Sequence, residues 1–239
     1  MVEKSPSCEA PQIVIDSNPL TRAAELLTQA LSGVLQTSSA VRLAIPGGSA
    51  LAAVPIVRSR LGEAWGRVTL TWVDERCVDF ENEESNRGAA ARLGLFGSMA
   101  PSGFRDTGAN DPERLLPLFE NGETPEQAVS RVALGFRELF SNAIDVALLG
   151  MGTDGHVASL FPPVPAFDGR MIAHVADSPK PPGDRITLTR RALETAATVV
   201  LLATGEPKRD ALKRLVAGDS TLPAQGLPGL IVVTDLDLE

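Results

Sequence analysis

Residues 144–162, with the sequence IDVALLGMGTDGHVASLFP, join an apolar run to a glycine-rich loop. The run IDVALLG is apolar on both alternating faces, which is typical of a central parallel strand buried on both sides of a sheet. The glycines of GMGTDG allow the chain to turn sharply after the strand. We therefore expect this strand to lie inside a parallel sheet and to deliver the loop to the edge where such sheets bind ligands.

Short β-rich runs alternate with helical patterns along the rest of the chain. Strands are predicted at QIVID (12–16), VRLAIPGG (41–48), VTLTWVDER (68–76), MIAHVAD (171–177), RITLT (185–189), TVVLLAT (198–204) and LIVVTD (230–235). Helices are predicted after Asn18-Pro19, at 49–64 and at 206–218. This alternation predicts an α/β fold with a mostly parallel sheet flanked by helices. We expect a single domain over 12–239, preceded by a flexible N-terminus over 1–11.

The segment TPEQ (124–127) has the pattern of a capping box at the start of a helix. The run that follows it places apolar residues on one helix face, namely Ala128, Val129, Val132, Ala133, Phe136, Leu139 and Phe140. A helix is therefore predicted here. The polar, turn-rich stretch SGFRDTGANDPE (102–113) is interpreted as a surface excursion.

The composition argues against several classes of protein. The net charge is −8, tyrosine is absent and there are only two tryptophans, so neither a basic nor an aromatic surface for nucleic acid is expected. No apolar run approaches the roughly 20 residues of a membrane-spanning helix. The N-terminus lacks an apolar secretory segment, and two cysteines cannot form a disulfide framework. We expect a protein of the reducing cytoplasm that binds neither nucleic acid nor membrane.

The stretch GMGTDG matches the pattern of a dinucleotide-binding loop, but its context is wrong. Such a fingerprint opens a long helix, whereas Pro162, Pro163 and Pro165 leave room for barely two turns. The strand before it is also not the first strand of the chain. A P-loop lysine and a G-x-S-x-G elbow are missing as well. Nucleotide binding and serine-dependent hydrolysis are therefore disfavoured.

The same loop contains one of only two histidines in the chain. Its glycines, Gly152 among them, allow backbone N–H groups to approach a ligand. Asp154 can orient the imidazole of His156 and favour its protonated form, which makes His156 a candidate general base. The alternative is a surface histidine beside a helix-capping aspartate. The other histidine, His174, lies in an apolar strand and is interpreted as structural.

A second group of candidates ends the strand VTLTWVDER. Asp74, Glu75 and Arg76 would be delivered to a crevice there, although a salt-bridged turn is the simpler interpretation. Cys77 follows directly and is interpreted as an inert, partly buried thiol. Because the two histidines have different settings and no cysteines or acidic residues cluster, no zinc or calcium site is expected.

A third group could hold an anion. In AIPGGS, the amides of Gly47, Gly48 and Ser49 can meet a phosphate oxygen at the start of a helix, although a bare Gly-Gly turn is common. Arg185 and Lys208 each lie beside a strand or helix end, where they could meet the same anion. Solvated surface charge is the alternative for both.

Taken in order, these segments resemble the 6-phosphogluconolactonase family. The landmarks, from about residue 43 to 212, are AIPGGS, WVDERCV followed by SN, DVALLGMGTDGHVASLFP, SPKPPGDRITLT and LLATGEPKRDAL. The resemblance implies a modified doubly wound, Rossmann-like sheet, similar to that of glucosamine-6-phosphate deaminase, with the site at the strand C-termini. It implies hydrolysis of 6-phosphogluconolactone to 6-phosphogluconate, the second step of the oxidative pentose phosphate pathway. No cofactor is implied, and we expect a monomer whose partner is the small phosphorylated sugar lactone.

The resemblance also implies roles for the candidate residues. His156 would activate water, and Asp154 would hold its imidazole in a useful tautomer. Arg76 would meet the oxyanion or the phosphate, and Asp74 would shape the loop or bind a sugar hydroxyl. The phosphate would lie against the turn at 47–49, with Arg185 and Lys208 as its cationic partners.

Two departures from the deaminase pattern favour the lactonase, and a third weakens the phosphate turn. Leu160, Phe161 and Pro162 stand where deaminases have Asn-Glu-Pro, so the acid-base glutamate is missing. Arg76 stands where deaminases tend to have an aromatic residue. Ala50-Leu51 replaces the usual Thr-Pro, which removes one hydroxyl from the turn. A deaminase or isomerase acting on a sugar phosphate and a non-catalytic sugar-phosphate sensor remain the alternatives.

Overall fold

The structure, a computed structural model, describes residues 10–95 and 115–238. The strands, in chain order, are β1 (Gln12–Ile15), β2 (Val41–Ile45), β3 (Val68–Trp72), β4 (Asp74–Arg76), β5 (Leu115–Leu116), β6 (Val146–Gly150), β7 (Ile172–Val175), β8 (Arg185–Leu188), β9 (Thr198–Leu202) and β10 (Leu230–Thr234). The surface excursion predicted at 102–113 lies outside the described residues, as does most of the flexible segment predicted at 1–11.

A seven-stranded sheet forms the centre of the protein. Its strand order is β1-β10-β9-β6-β2-β3-β5, and every neighbouring pair is parallel. Strand β6 lies in the middle, where Val146 pairs with Leu43 of β2 and with Thr198 of β9. The prediction from IDVALLG of a central strand buried on both faces is confirmed, because Val146 to Leu149 are all buried. The α/β fold class is confirmed with it.

Helices connect these strands and cover the sheet. They are α1 (Pro19–Leu35), α2 (Ala53–Leu61), α3 (Asn86–Arg92), α4 (Pro125–Phe140), α5 (Arg190–Leu193) and α6 (Arg209–Val216). Asn18 caps α1 by accepting a hydrogen bond from the N–H of Thr21. At α4 the capping box of Thr124 and Gln127 is confirmed. Within the described residues, no helix is both long and apolar enough to cross a membrane.

A small second sheet corrects the sequence prediction. VTLTWVDER was expected to be one strand, but the chain breaks after Trp72, and β4 joins an antiparallel sheet of order β4-β8-β7. Val73 makes the transition, because its N–H donates to the carbonyl of Ile45 and its carbonyl accepts from the N–H of Leu188, both at 2.8 Å. Both sheets bury residues in one continuous hydrophobic core. The small sheet thus lies beside the end of the large one, with Arg76 paired to Arg185.

The apolar face of α4 is narrower than its sequence suggests. Ala128, Val132, Phe136 and Phe140 are buried at intervals of four residues, and the rings of Phe136 and Phe140 stack with centroids 5.3 Å apart. Leu139, predicted on the same face, is 41% exposed. Because the buried residues repeat every four positions, α4 contacts the core along a single stripe. Leu139 lies outside that stripe.

This assignment of the α4 face predicts unequal losses of stability. Phe136→Ala is expected to lower the free energy of unfolding by about 3–5 kcal/mol, because the lost ring leaves a cavity in a closed core. Leu139→Ala, the control on the same helix, should change it by no more than about 0.5 kcal/mol. Urea unfolding followed by circular dichroism measures both. Equal losses would contradict the assigned face.

Candidate active site

A cleft of about 250 Å³ opens at the carboxyl ends of the parallel strands. The loops after β2, β3, β6 and β9 supply its walls, and the small sheet closes one side. Apart from Glu75 and Asp154, every candidate site residue chosen from sequence lines this cleft: Gly47, Gly48, Ser49, Asp74, Arg76, Gly152, His156, Arg185 and Lys208. Asp154 is hydrogen-bonded to His156. The fold therefore gathers the candidates into one place.

The loop after β6 holds a histidine–aspartate pair. Nδ1 of His156 lies 2.6 Å from Oδ1 of Asp154. The N–H of Gly152 donates to the carbonyl of His156 at 2.8 Å, which folds the loop back on itself. A Cβ atom at Gly152 would overlap both the imidazole and the carboxylate. Glycine is therefore required at position 152 for the pair to lie across the backbone.

Burial favours the neutral form of the His156 imidazole by lowering its pKa. Burial lowers its pKa and is the largest influence, while the hydrogen bond and charge of Asp154 act to raise it and Lys180 acts to lower it. The net pKa is below the usual value. As the sequence predicted, the contact with Asp154 favours the protonated form of His156. The opposite effect of burial on the pKa is larger. The ring of Phe161 packs against the imidazole at 4.5 Å between centroids and contributes to this burial.

Lys180, which sequence reasoning missed, completes the pair. Its Nζ lies 3.4 Å from both Oδ1 of Asp154 and Nδ1 of His156. Burial acts to raise the pKa of Asp154, but the hydrogen bond with His156 and the charges of His156 and Lys180 hold that pKa below its usual value. The carboxylate thus stays ionised between two donors. The sequence did offer an indication of Lys180, because it is a cation inside the landmark SPKPPGDR.

Asp74 is held on three sides and is only 6% exposed. It accepts hydrogen bonds from Oγ of Ser159 at 2.6 Å and from Nδ2 of Asn86 at 3.3 Å. Nη1 of Arg185 lies 3.6 Å from its Oδ2. Ser159 belongs to the loop after β6, so Asp74 links that loop to the small sheet. Neither Asn86 nor Ser159 was singled out as a candidate from sequence.

Arg76 lines the cleft and has one donor without a partner among the described residues. Its Nη1 donates to the carbonyl of Glu84 at 2.6 Å and lies 3.2 Å from the carboxylate of the same residue. Its Nε is buried and has no hydrogen-bond partner among the described residues. A buried N–H without a partner is costly, so an anion that accepts from Nε would be bound favourably.

Arg185 is only 3% exposed. Its Nε donates to the carbonyl of Pro182 at 3.1 Å, and its Nη2 donates to the carbonyl of Lys180 at 3.0 Å. Burial lowers its pKa, opposed by the charge of Asp74. Arg185 therefore fixes the loop that carries Lys180 and, through Nη1, faces Asp74.

Lys208 lines the cleft and contacts the loop after β6. Its Nζ donates to the carbonyl of Met151 at 2.6 Å. Burial lowers its pKa, and the charge of Lys180 lowers it further. Two ammonium groups that repel each other across a cleft favour an anion between them.

The glycine turn after β2 presents free backbone donors. Gly48 has a φ of 65°, a conformation that favours glycine. Over the described residues, the N–H groups of Gly47 and Gly48 donate no hydrogen bond. Ser49 begins a short 3₁₀ turn that leads into α2. The turn therefore leaves amides available to a phosphate oxygen at the mouth of the cleft.

His174 and Cys77 lie outside this cleft. Nε2 of His174 is 2.7 Å from Oδ1 of Asp184, which agrees with its interpretation as structural. Burial raises the pKa of the Cys77 thiol to about 12, helped by nearby carboxylates. An inert thiol is therefore the better interpretation of Cys77. The described residues hold no group of three or more histidine, cysteine or acidic side chains that could bind a metal ion.

A larger concavity, of about 1240 Å³, lies at the opposite edge of the sheet. Its walls include Gln12, Thr198 and Leu230, which are the first residues of their strands. Its arginine, Arg190, is paired with Glu194 at 2.8 Å. We assign the site to the smaller cleft because that cleft contains the histidine–aspartate pair and the unpaired donors.

Comparisons with known proteins agree with this assignment. The family described as glucosamine-6-phosphate isomerases/6-phosphogluconolactonase matches residues 16–231. A 6-phosphogluconolactonase of Bos taurus is 31% identical over 234 residues, covering 90% of this chain and 86% of its own. One of Mycobacterium tuberculosis is also 31% identical, covering 91% of each chain.

A solved structure extends the likeness to the fold. The crystal structure of 6-phosphogluconolactonase from Thermotoga maritima has a TM-score of 0.78 and 22% identity, and the match covers 94% of this chain and 98% of that one. The family match spans every residue that lines the cleft. The chain therefore belongs to the glucosamine-6-phosphate isomerase/6-phosphogluconolactonase family.

Proposed function

We propose that this protein is a 6-phosphogluconolactonase, which hydrolyses 6-phosphogluconolactone to 6-phosphogluconate. The observation that carries the proposal is the half-buried imidazole of His156, held by Asp154 at 2.6 Å in a cleft lined by cations. A neutral imidazole can accept a proton from water, and the cations suit a phosphorylated substrate. Curated relatives with this name align over most of both chains.

The proton moves through the second ring nitrogen of His156. Nδ1 donates its hydrogen to Asp154, which leaves the lone pair of Nε2 free to accept. Nε2 has no hydrogen-bond partner in the ranges that the structure describes, so it is available to a water molecule. As water attacks the lactone carbonyl, Nε2 takes its proton and Asp154 stabilises the imidazolium that forms.

The tetrahedral intermediate then opens the ring. Its oxyanion is met by a cation of the cleft, for which Arg76 is suited because its Nε is otherwise unpaired among the described residues. When the intermediate collapses, the bond between the carbonyl carbon and the ring oxygen breaks. The ring oxygen takes the proton from Nε2 of His156, so the net reaction adds one water molecule.

The phosphate anchors the other end of the substrate. The turn at 47–49 supplies amides, and Lys208 supplies positive charge. Arg185 supports the same wall through its contacts with Asp74 and with the loop that carries Lys180. Asp74 is left to hold the loop after β6 and to accept from a sugar hydroxyl. No cofactor takes part in this mechanism.

Each group in the mechanism belongs to one chain, so catalysis needs no second copy of the protein. We accordingly propose that a monomer acts in the cytoplasm, where its phosphorylated substrate would be formed. The sugar-phosphate deaminase is disfavoured because Phe161, and not a carboxylate, packs against the base. Release of ammonia from glucosamine 6-phosphate would support that alternative. Stabilisation by 6-phosphogluconate without turnover would support a sensor.

The role of His156 predicts a large loss of turnover on its replacement. His156→Asn should lower kcat for 6-phosphogluconolactone by at least about 10²-fold, because the general base is removed. His174→Asn, which changes the other histidine outside the cleft, should leave kcat near the wild-type value. The lactone is generated in situ, and 6-phosphogluconate is followed through its dehydrogenase after subtraction of spontaneous hydrolysis. Wild-type turnover no faster than that background would refute the proposed function.

The burial of His156 predicts the pH dependence. Protonated His156 cannot accept a proton, so kcat/KM should fall as the pH drops through its pKa, which burial holds below the usual value. Phe161→Ala admits water to the imidazole and should raise that pKa, which moves the acid limb to higher pH. Phe167→Ala, at a half-buried phenylalanine outside the cleft, should not move it. An unmoved limb in folded Phe161→Ala would contradict the role of burial.

The phosphate site predicts a defect in substrate binding. Lys208→Met should raise KM by roughly ten-fold or more, with little change in kcat, because a charged contact to a remote part of the substrate is lost. Lys213→Met removes the same charge from the exposed side of α6 and serves as the control. Initial rates over a range of lactone concentrations give both constants. A loss confined to kcat would exclude phosphate anchoring by Lys208.

A further inference from the structure

Asn86 lies between the glycine turn and Asp74. It is the first residue of α3, is only 3% exposed and lines the cleft. Its Nδ2 donates to the backbone carbonyl of Asp74 at 2.9 Å and to the carboxylate of the same residue at 3.3 Å. The carboxamide also lies so close to Gly47 that a Cβ atom there would overlap it. One side chain therefore touches both Asp74 and the glycine turn.

The backbone of Asn86 is fixed from below by Glu75. Oε1 of this buried carboxylate accepts from the N–H of Asn86 at 2.8 Å, and Oε2 accepts from the N–H of Arg87 at 2.7 Å. Ser85 caps the same helix by accepting from the N–H of Gly88 at 2.9 Å. Because Glu75 lies between Asp74 and Arg76 in β4, the helix start is tied directly to the small sheet.

The glycine turn, by contrast, has few restraints of its own. In the described ranges, the amides of Gly47 and Gly48 donate no hydrogen bond, and Gly48 faces open space. The carboxamide of Asn86 is the group against which the backbone at Gly47 packs. The position of the turn relative to Asp74 is therefore set by the width of one side chain.

We propose that Asn86 is a positioning residue that fixes the distance between the phosphate-binding turn and Asp74, which is tied through Ser159 to the loop that carries His156. The inference rests on the proposed function, because the turn is there assigned to the phosphate. A substrate held at both ends reacts only if those ends have the correct separation, and an error of about 1 Å can cost 10²-fold in rate. Glycine at position 47 and asparagine at position 86 act as a matched pair.

The pair is tested by a double-mutant cycle. Asn86→Ala should raise KM and lower kcat/KM by roughly 10- to 10²-fold, because the turn loses its support. Gly47→Ala should be similarly defective, because its new Cβ overlaps the Asn86 carboxamide. In the double variant the smaller side chain makes room for that Cβ. Asn86→Ala should therefore be harmful in the wild-type background and beneficial in the Gly47→Ala background.

Gly48 provides the matched control. Gly48→Ala strains a residue with positive φ, but its Cβ meets nothing within 4 Å. Asn86→Ala should therefore not rescue Gly48→Ala. Rescue of the substitution at position 47 alone would support the inference. The inference is overturned if the effect of Asn86→Ala simply multiplies with that of Gly47→Ala, as with that of Gly48→Ala. It is also overturned if the activities of the variants fall only in step with their unfolding temperatures.

Two further measurements keep the outcome decisive. If Asn86→Ala does not fold, Asn86→Ser opens nearly the same space. It should likewise be harmful in the wild-type background and beneficial in the Gly47→Ala background. Binding of 6-phosphogluconate, measured by thermal shift on the same variants, provides a readout that needs no turnover. A wild-type protein that binds this product but does not hydrolyse the lactone would refute the proposed function alone. The same double-mutant cycle, evaluated with the binding constants for 6-phosphogluconate, would still support or overturn the role of Asn86.

Discussion

Two hydrogen bonds of Val73 join the large sheet to the small one, and the cleft depends on them. Its N–H continues the parallel pairing of β2 and β3, while its carbonyl accepts from Leu188 of the antiparallel sheet. A strand that continued straight would carry Asp74 and Arg76 past the carboxyl edge. The change of sheet turns both residues toward the loop after β6. The site is therefore a product of the junction between two sheets and not of either sheet alone.

The junction also sets the electrostatics of the cleft. Four cations, Arg76, Lys180, Arg185 and Lys208, line the cleft of a protein whose net charge is −8. Their mutual repulsion is partly relieved by Asp74 and Asp154, and a phosphorylated substrate would complete the neutralisation. The same burial that strengthens these interactions lowers the pKa of His156. In the proposed mechanism, phosphate binding and general-base catalysis therefore both depend on the partial burial of these groups.

Hydrogen bonds to Glu75 hold the start of α3 in place beside the cleft. Glu75 is 2% exposed, and its four hydrogen-bond donors come from three backbone amides and from the hydroxyl of Ser85. Burial raises its pKa to about 7, although those backbone amides act to lower it. The carboxylate reaches no ligand, yet it holds the helix start that presents Asn86 to the glycine turn. Residues of this kind are invisible to a search for catalytic side chains because they act through backbone contacts.

The sequence by itself determined the class of the fold, the central strand at IDVALLG and the loops that carry the candidate residues. Those features depend on local periodicity and on turn chemistry, which neighbouring residues encode. Only the tertiary structure decided that VTLTWVDER divides at Val73, that Leu139 leaves the buried face and that Lys180 and Asn86 enter the cleft. Each of these depends on contacts between distant segments, such as Val73 with Leu188, and no local pattern records a partner more than 100 residues away. The net protonation of His156 belongs to the same class, because burial is set by the whole fold.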